Sequence, residues 1–178
     1  MARSSVVITL LIASMVAACS RSAKPRGGEN AVQPATENAV KRIASADVVK
    51  AVVEPVEIKA GGSGEVTVRL TIQIGYHVNA NPPTYSYLIP TALEIAPESG
   101  ISVGPILYPP PVNAKFAFAE KPLAVYEGET AIKATLKADK SSQPGEHSLA
   151  AKLRIQACDD QVCYPPGTRD LTIPVIVK

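Results

Sequence analysis

Hydrophobic and polar residues alternate along several stretches of the chain. In residues 65–74 the odd positions are polar and the even positions are apolar, namely Val66, Val68, Leu70, Ile72 and Ile74. Successive side chains of a β-strand point to opposite faces, so a period of two predicts a strand with one buried face. Residues 149–155 and 171–177 bury their odd positions in the same way, and residues 131–138 their even positions. The pattern therefore predicts several half-buried antiparallel strands.

The residues between these stretches support an all-β domain. The chain contains 16 prolines and 11 glycines, and many of them separate the alternating segments. After the N-terminal segment, no stretch shows a convincing helical period of 3.6 residues. We therefore predict an immunoglobulin-like antiparallel β-sandwich. The prediction concerns the architecture only, because the sequence has no tryptophan to fill the core position of antibody domains.

Residues 1–18 have the pattern of an export signal. Arg3 supplies a positive charge, residues 6–18 carry no charge, and the segment ends in Val16-Ala17-Ala18-Cys19. The uncharged run is shorter than the roughly 20 residues that span a bilayer. Small residues before a cysteine resemble the bacterial lipobox, in which Cys19 becomes a lipid-modified N-terminus. The alternative is an ordinary secretory signal with an incidental cysteine, and both predict export to a compartment where disulfides persist.

These features divide the chain into three parts. Residues 1–18 are predicted to be a lipoprotein signal peptide, residues 19–44 a flexible tether, and residues 45–178 one folded domain. Ser20 is not the aspartate associated with retention in the inner membrane. We therefore expect the protein on the periplasmic side of the cell envelope, with the outer membrane favoured and the lipid as its only membrane contact.

Composition excludes several function classes. The net charge of +2 arises from interspersed charges of both signs, which argues against binding of nucleic acid. No serine, histidine and aspartate stand in a context typical of hydrolases. His77 and His147 are not spaced from the cysteines as zinc ligands would be, so we expect neither a metal site nor a cofactor. His77 is predicted to be structural and His147 to lie in a solvated loop.

The candidate chemistry lies in two of the three cysteines. If Cys19 carries lipid, Cys158 and Cys163 remain as one pair. Continuing the alternation of residues 149–157 puts Cys158 on the outer face with Lys152 and Arg154, where its sulfur would be accessible for exchange. The pair would close a small loop, whose stabilisation is modest. Spacing alone leaves open both a structural disulfide and a redox pair.

Two aspartates between the cysteines allow two interpretations. Asp159 and Asp160 would raise the pKa of a neighbouring thiol, because a negative charge disfavours the thiolate. Aspartates also favour tight turns, which would give them a conformational role only.

Several segments resemble one known family. The segment QACDDQVCYPP (residues 156–166) resembles the redox loop of the N-terminal periplasmic domain of DsbD, the thiol:disulfide interchange protein. Four further segments are similar to that family in the expected order: GYHVNANPP (75–83), LIPTAL (88–93), LYPPP (107–111) and VYEGE (125–129). The resemblance covers most of residues 48–178. It implies an immunoglobulin-like fold and a redox-active pair formed by Cys158 and Cys163.

The resemblance also implies partners and roles. The electron donor would be a thioredoxin-like protein or a DsbD-type membrane protein, and the acceptors would be oxidised thioredoxin-fold proteins of the envelope. Cys163 would form the bond to the partner and Cys158 would resolve it. Full-length DsbD continues into a membrane domain and a thioredoxin-like domain, so we expect a stand-alone module whose donor is another polypeptide.

A cap over the cysteines is implied as well. By resemblance, the loop of residues 123–128 would lie over the pair and move aside when a partner docks, with Leu123, Val125 and Tyr126 as shielding residues. The alternative is an ordinary turn between strands. The competing function is a non-catalytic immunoglobulin-like lipoprotein, a binding or scaffolding module with a structural disulfide.

Overall fold

The computed structural model describes residues 43–98 and 100–178. Their strands are Val49–Val53 (β1), Val56–Ile58 (β2), Ser63–Ile72 (β3), His77–Asn79 (β4), Ala92–Ile95 (β5), Ile101–Leu107 (β6), Val112–Ala114 (β7), Leu123–Tyr126 (β8), Glu129–Ala138 (β9), Gly145–Ile155 (β10), Ala157–Cys158 (β11) and Gly167–Val177 (β12). Within these two ranges there is no helix long and apolar enough to cross a membrane. The predicted signal peptide, Cys19 and residues 20–42 of the predicted tether lie outside the described residues.

Two four-stranded sheets form the sandwich. One has the strand order β1-β3-β9-β6 and the other the order β2-β12-β10-β5. Strands β2 and β12 pair in parallel, whereas the other pairs within these two sheets are antiparallel. The predicted all-β immunoglobulin-like sandwich is therefore confirmed, with one parallel pair added to it.

The main core lies between these sheets and is built from the predicted inward positions. Side chains of β3, β9, β10 and β12 join one buried cluster that includes Val68, Leu70, Ile132, Leu136, Leu153, Ile155, Ile173 and Val175. Burying a Val, Leu or Ile side chain contributes about 1.5–3 kcal/mol. The alternation predicted from the sequence therefore supplies the main driving force for the sandwich.

The end of β3 corrects one prediction. Ile74 was expected to face the core, but its side chain is 97% exposed. The strand ends at Ile72, and the backbone N–H of Tyr76 then donates to the carbonyl of Gln73 at 3.0 Å. Gly75 adopts a φ of +85°, which glycine tolerates and other residues rarely do. This turn breaks the alternation before Ile74 can reach the core.

A third, smaller sheet has the strand order β11-β4-β8-β7. It is continuous with the sandwich along the chain, because β4 follows β3, β9 follows β8, and β11 follows β10 after Gln156. One face contributes Val78, Tyr126 and Ala157 to the main core. The opposite face carries a separate buried group, here called the outer cluster, which consists of Leu88, Phe116, Leu123 and Val125.

Candidate functional site

Cys158 and Cys163 form a disulfide across a tight hairpin. Their Cα atoms are 3.9 Å apart, and the two residues face each other as an antiparallel bridge. Backbone hydrogen bonds flank the bridge on both sides, from Asp159 N to Val162 O at 3.0 Å and from Tyr164 N to Ala157 O at 2.8 Å. The pairing expected from the cysteine count is therefore present, and short-range backbone bonds hold its geometry.

Asp159 forms the turn that brings the cysteines together. Its Oδ1 accepts hydrogen bonds from the backbone N–H groups of Gln161 and Val162, both at 2.8 Å. An aspartate in this position replaces a backbone carbonyl as the acceptor of a turn. Asp159 therefore has a conformational role in the turn, whereas Asp160 is exposed. The effect of the two aspartates on the thiol pKa stays a prediction.

The second oxygen of Asp159 binds the residue after Cys163. The Tyr164 hydroxyl donates to Asp159 Oδ2 at 2.5 Å. This bond, followed by the two turn N–H groups, lowers the pKa of the Asp159 carboxyl. The same bond raises the pKa of Tyr164 to about 12. Asp159 is therefore an anion at neutral pH that links both arms of the hairpin.

The two sulfurs have different environments. Cys158 is fully buried, whereas Cys163 is partly exposed. The sequence predicted the facing of Cys158 correctly, because Ala157 joins the main core and Cys158 lies on the opposite side of the strand. The predicted accessibility of Cys158 is wrong. The opposite side of the sheet is covered here by the outer cluster instead of by solvent.

His77 is the direct neighbour of Cys158 on the adjacent strand. The register of β11 and β4 pairs Cys158 with His77 and Ala157 with Val78. The His77 ring stacks on Phe116, with ring centroids 4.0 Å apart, and Phe116 stacks in turn on Phe118 at 5.4 Å. An aromatic row thus leads from the buried cysteine towards the surface.

A cleft of about 350 Å³ opens beside the exposed end of the disulfide. Cys163 and Val162 form one wall, and Tyr87, Leu88 and Phe118 form much of the rest. Tyr87 is 74% exposed and Phe118 is 42% exposed. Large apolar side chains that remain in contact with water around a reactive group are typical of a surface that another protein covers.

Hydrogen bonds of Gln156 and Ser45 connect neighbouring segments to the cysteine hairpin. Gln156 Oε1 accepts from Asn79 Nδ2 and from the backbone N–H of Ile89, both at 3.0 Å. The Ser45 hydroxyl donates to Pro165 O at 2.6 Å and accepts from Ala157 N at 3.0 Å. The beginning of the domain and the segment before β5 are therefore both tied to the cysteine hairpin.

The segment predicted as a cap has a different structure. Residues 123–126 are not a loop but the strand β8, which pairs with β4 and β7. Val125 is buried in the outer cluster and Tyr126 in the main core, where burial raises the pKa of its hydroxyl. Neither could swing aside without breaking strand pairing. Leu123 does line the cleft beside Cys163, so its shielding role stays a prediction.

The two phenylalanines near the cysteine pair, one stacked on His77 and one at the cleft, were missed in the sequence. Phe116 and Phe118 belong to the turn between β7 and β8, and they are the chain's two phenylalanines. Their concentration within three positions of a polar, proline-containing segment was an available signal. This signal does not by itself reveal their role, because Phe116 stacks on His77, a residue that is distant in the chain.

The prediction that His147 lies in a solvated loop is wrong, because His147 belongs to strand β10 and is partly buried. His147 Nε2 is 2.8 Å from the carbonyl oxygen of Gln143, and its ring lies 3.8 Å from Glu98. Among the residues of 43–98 and 100–178, no group of three His, Cys, Asp or Glu side chains is placed to hold a metal ion.

Comparison with known proteins gives one strong match. The sequence profile of a family described as the N-terminal part of the thiol:disulfide interchange protein DsbD matches residues 46–174. No curated protein matches the sequence.

Similar solved structures are more distant. The N-terminal periplasmic domain of ScsB from Proteus mirabilis has 14% identity and a TM-score of 0.47, over 71% of this chain and 44% of that one. AggA, the major subunit of aggregative adherence fimbriae type I from Escherichia coli, has 10% identity and a TM-score of 0.32, over 77% and 99%. A family 123 glycoside hydrolase from Clostridium perfringens has 11% identity and a TM-score of 0.27, over 74% and 27%. This chain spans less than half of the ScsB chain.

Proposed function

The chain belongs to the family of the N-terminal domain of the thiol:disulfide interchange protein DsbD, and from this premise we propose that it is a thiol–disulfide relay module of the bacterial cell envelope. It would take reducing equivalents from a thioredoxin-like or DsbD-type membrane donor and pass them to oxidised thioredoxin-fold proteins. Family membership supports thiol–disulfide interchange, a periplasmic location and thioredoxin-fold partners in general. The direction of transfer and the individual partners are our proposal.

One observation carries this proposal: the disulfide opens at Cys163 onto an apolar cleft. An attacking thiolate must approach a sulfur in line with the S–S bond, so one sulfur has to be reachable. The cleft gives a partner access to Cys163, while Cys158 lies buried on the far side. This asymmetry supports the assignment of Cys163 as the residue that bonds to the partner and of Cys158 as the resolving residue.

We assign the shielding of Cys163 mainly to Phe118, which lies outside the segment of residues 123–128 that was expected to supply it. We propose that Phe118 at the cleft, together with Leu123 behind it, limits the access of small oxidants to Cys163. Phe118 lies outside the named strands and is partly exposed, so it can change its rotamer without loss of strand pairing. A docking partner could therefore displace its ring.

We expect the disulfide to be reducible by a thioredoxin-fold donor. Structural disulfides of secreted proteins have reduction potentials below about −300 mV, whereas exchanging pairs lie higher. The potential should be measured by equilibrating the full-length chain in glutathione or dithiothreitol buffers and alkylating the free thiols. A value below about −300 mV, together with no exchange with reduced thioredoxin, would instead support the scaffolding module with a structural disulfide.

We also propose that Cys19 is lipid-modified and that the anchor holds the protein in the outer membrane. One acyl chain binds membranes only marginally and several give stable anchoring, so a lipidated Cys19 should place the protein in the membrane fraction. Mass spectrometry of the protein purified from membranes should find a mature chain that begins at a modified Cys19. A Cys19→Ala variant should be recovered in soluble or uncleaved form, and an unmodified Cys19 in the mature protein would contradict the proposal.

A further inference from the structure

His77 lies directly opposite Cys158 on the adjacent strand, and neither the fold nor the proposed relay accounts for a histidine there. It is the register partner of Cys158, and directly opposed residues of antiparallel strands have Cβ atoms about 4.5–5.5 Å apart on the same face of the sheet. Both residues are buried, with His77 only 4% and Cys158 0% exposed. The imidazole and the Cys158 side chain are therefore buried neighbours on the same face of the sheet.

One nitrogen of the His77 ring makes no hydrogen bond within the described part of the chain. His77 Nε2 is buried and has no hydrogen-bond partner among the described residues. Buried polar atoms without partners cost free energy, and such an exception in a folded protein calls for an explanation. Stacking on Phe116 holds the ring in place. A disulfide sulfur has no proton to donate, whereas a reduced Cys158 would carry a thiol proton next to this ring.

Burial and the nearby carboxylates have opposite effects on the pKa of His77, so its imidazole is suited to gain and lose a proton. Burial lowers the pKa of His77, so the neutral imidazole predominates at neutral pH. Asp160, Glu127 and Asp159 act in the opposite direction and would stabilise an imidazolium once it forms. The ring thus rests as a base, and carboxylates nearby can support its protonated form.

We propose that His77 exchanges the proton of the Cys158 thiol during thiol–disulfide exchange. The inference rests on the proposed function and deepens it, because it assigns the proton movement at the sulfur that water does not reach. Cys163 needs no such group, since it is partly exposed and can exchange its proton with solvent.

The steps balance in both directions. When the dithiol reduces a partner, the Cys163 thiolate first attacks one sulfur of the partner disulfide and forms a mixed disulfide, while the other partner sulfur leaves with the electron pair as a thiolate. His77 then takes the proton of Cys158, and the resulting thiolate attacks Cys163 Sγ. The bond between Cys163 and the partner breaks, the partner leaves with the electron pair as a thiolate, and the imidazolium returns its proton to that thiolate or to water. When a donor dithiol reduces the disulfide, its first thiol passes a proton to His77 and the resulting thiolate attacks Cys163 Sγ. The bond between the two cysteines breaks, Cys158 leaves with the electron pair, and the imidazolium gives it the proton. The second donor thiolate then displaces Cys163, which leaves as a thiolate while the donor leaves as a disulfide.

The experiment separates the two steps with oxidised glutathione as the probe. The reduced full-length chain is mixed with glutathione disulfide, quenched with acid at intervals and analysed by mass spectrometry. His77→Phe and His77→Gln should each slow the conversion of the glutathione adduct into the intramolecular disulfide by on the order of 100-fold, a typical contribution of a general base. Formation of the adduct should change little, so the adduct should accumulate in both variants.

The two variants control for packing. Phenylalanine keeps a flat ring that can stack on Phe116, and glutamine keeps a polar side chain, but neither can exchange a proton at neutral pH. If His77→Phe resolves the adduct at the wild-type rate, the proposal is overturned. A second measurement needs no variant: the rate of resolution in the unaltered protein should rise with pH through the pKa of His77 determined by NMR. A profile without that inflection would also overturn the proposal.

These outcomes are distinct from a failure of the proposed function. Slow resolution in the variants, combined with no exchange between the wild-type protein and thioredoxin, would retain the role of His77 and reject the relay. Rapid exchange with thioredoxin, combined with unaffected resolution, would retain the relay and reject the role of His77.

Discussion

Replacing Cys163 with serine should abolish formation of mixed disulfides with a partner, whereas replacing Cys158 with serine should leave a protein that forms them and cannot release them. Cys163 borders the cleft, and its sulfur can be approached from solvent. Cys158 is fully buried beside His77. Exchange depends on which sulfur can be reached and attacked. Loss of the reachable sulfur should therefore remove the reaction altogether.

The measurement uses a thioredoxin whose second active-site cysteine has been replaced by serine, so that it forms bonds it cannot resolve. The oxidised wild-type chain should give little lasting covalent complex on non-reducing gels, because Cys158 can attack Cys163 and release the thioredoxin. In each variant, the remaining cysteine of the pair is first activated as a mixed disulfide with a small aromatic thiol. Cys158→Ser should then yield the complex rapidly, and Cys163→Ser should yield almost none. A complex formed mainly through Cys158 would contradict the assignment of the two roles.

Replacing Tyr126 with alanine should destabilise the domain by about 3–5 kcal/mol, as large-to-small substitutions of buried aromatic residues do. The side chain is 2% exposed and packs in the main core. Its hydroxyl also accepts a hydrogen bond from the backbone N–H of Asn81 at 3.0 Å. Both the packing and this bond would be lost, so the substitution should affect folding before it affects chemistry.

Phe118→Ala is the matched control. Phe118 is also aromatic but is 42% exposed and lies at the cleft. Its removal should cost about 1 kcal/mol or less, as for other surface positions. It should instead accelerate oxidation of the reduced pair by glutathione disulfide. Urea unfolding would give the two stabilities and thiol alkylation the oxidation rates. Faster oxidation in a stable Tyr126→Ala variant would restore β8 as a mobile cap.

The alternation of polar and apolar residues along the chain was sufficient to predict the β-sandwich. The alternation in residues 65–72, 131–138, 149–157 and 171–177 identified the strands and their inward faces correctly, down to Ala157. Strand formation and facing depend on neighbouring residues and on a period of two, so they can be read locally. The same pattern failed at Ile74, where a turn with a positive φ at Gly75 ends the strand.

The cysteine motif likewise identified the chemistry, and the family match to residues 46–174 confirmed the resemblance. The sequence alone determined the fold class, the facing of Cys158 and the presence of a cysteine pair, since all three follow from residues close together in the chain. Tertiary structure alone decided that Cys158 is buried, that residues 123–126 are a paired strand, that Phe116 stacks on His77, and that Phe118 lines the cleft beside Cys163. Alternation determines which side of a strand a residue occupies, but what covers that side depends on side chains brought in from distant segments. Here the segment between β7 and β8 places Phe116 on His77, the register partner of Cys158, and Cys158 is buried although it faces away from the main core.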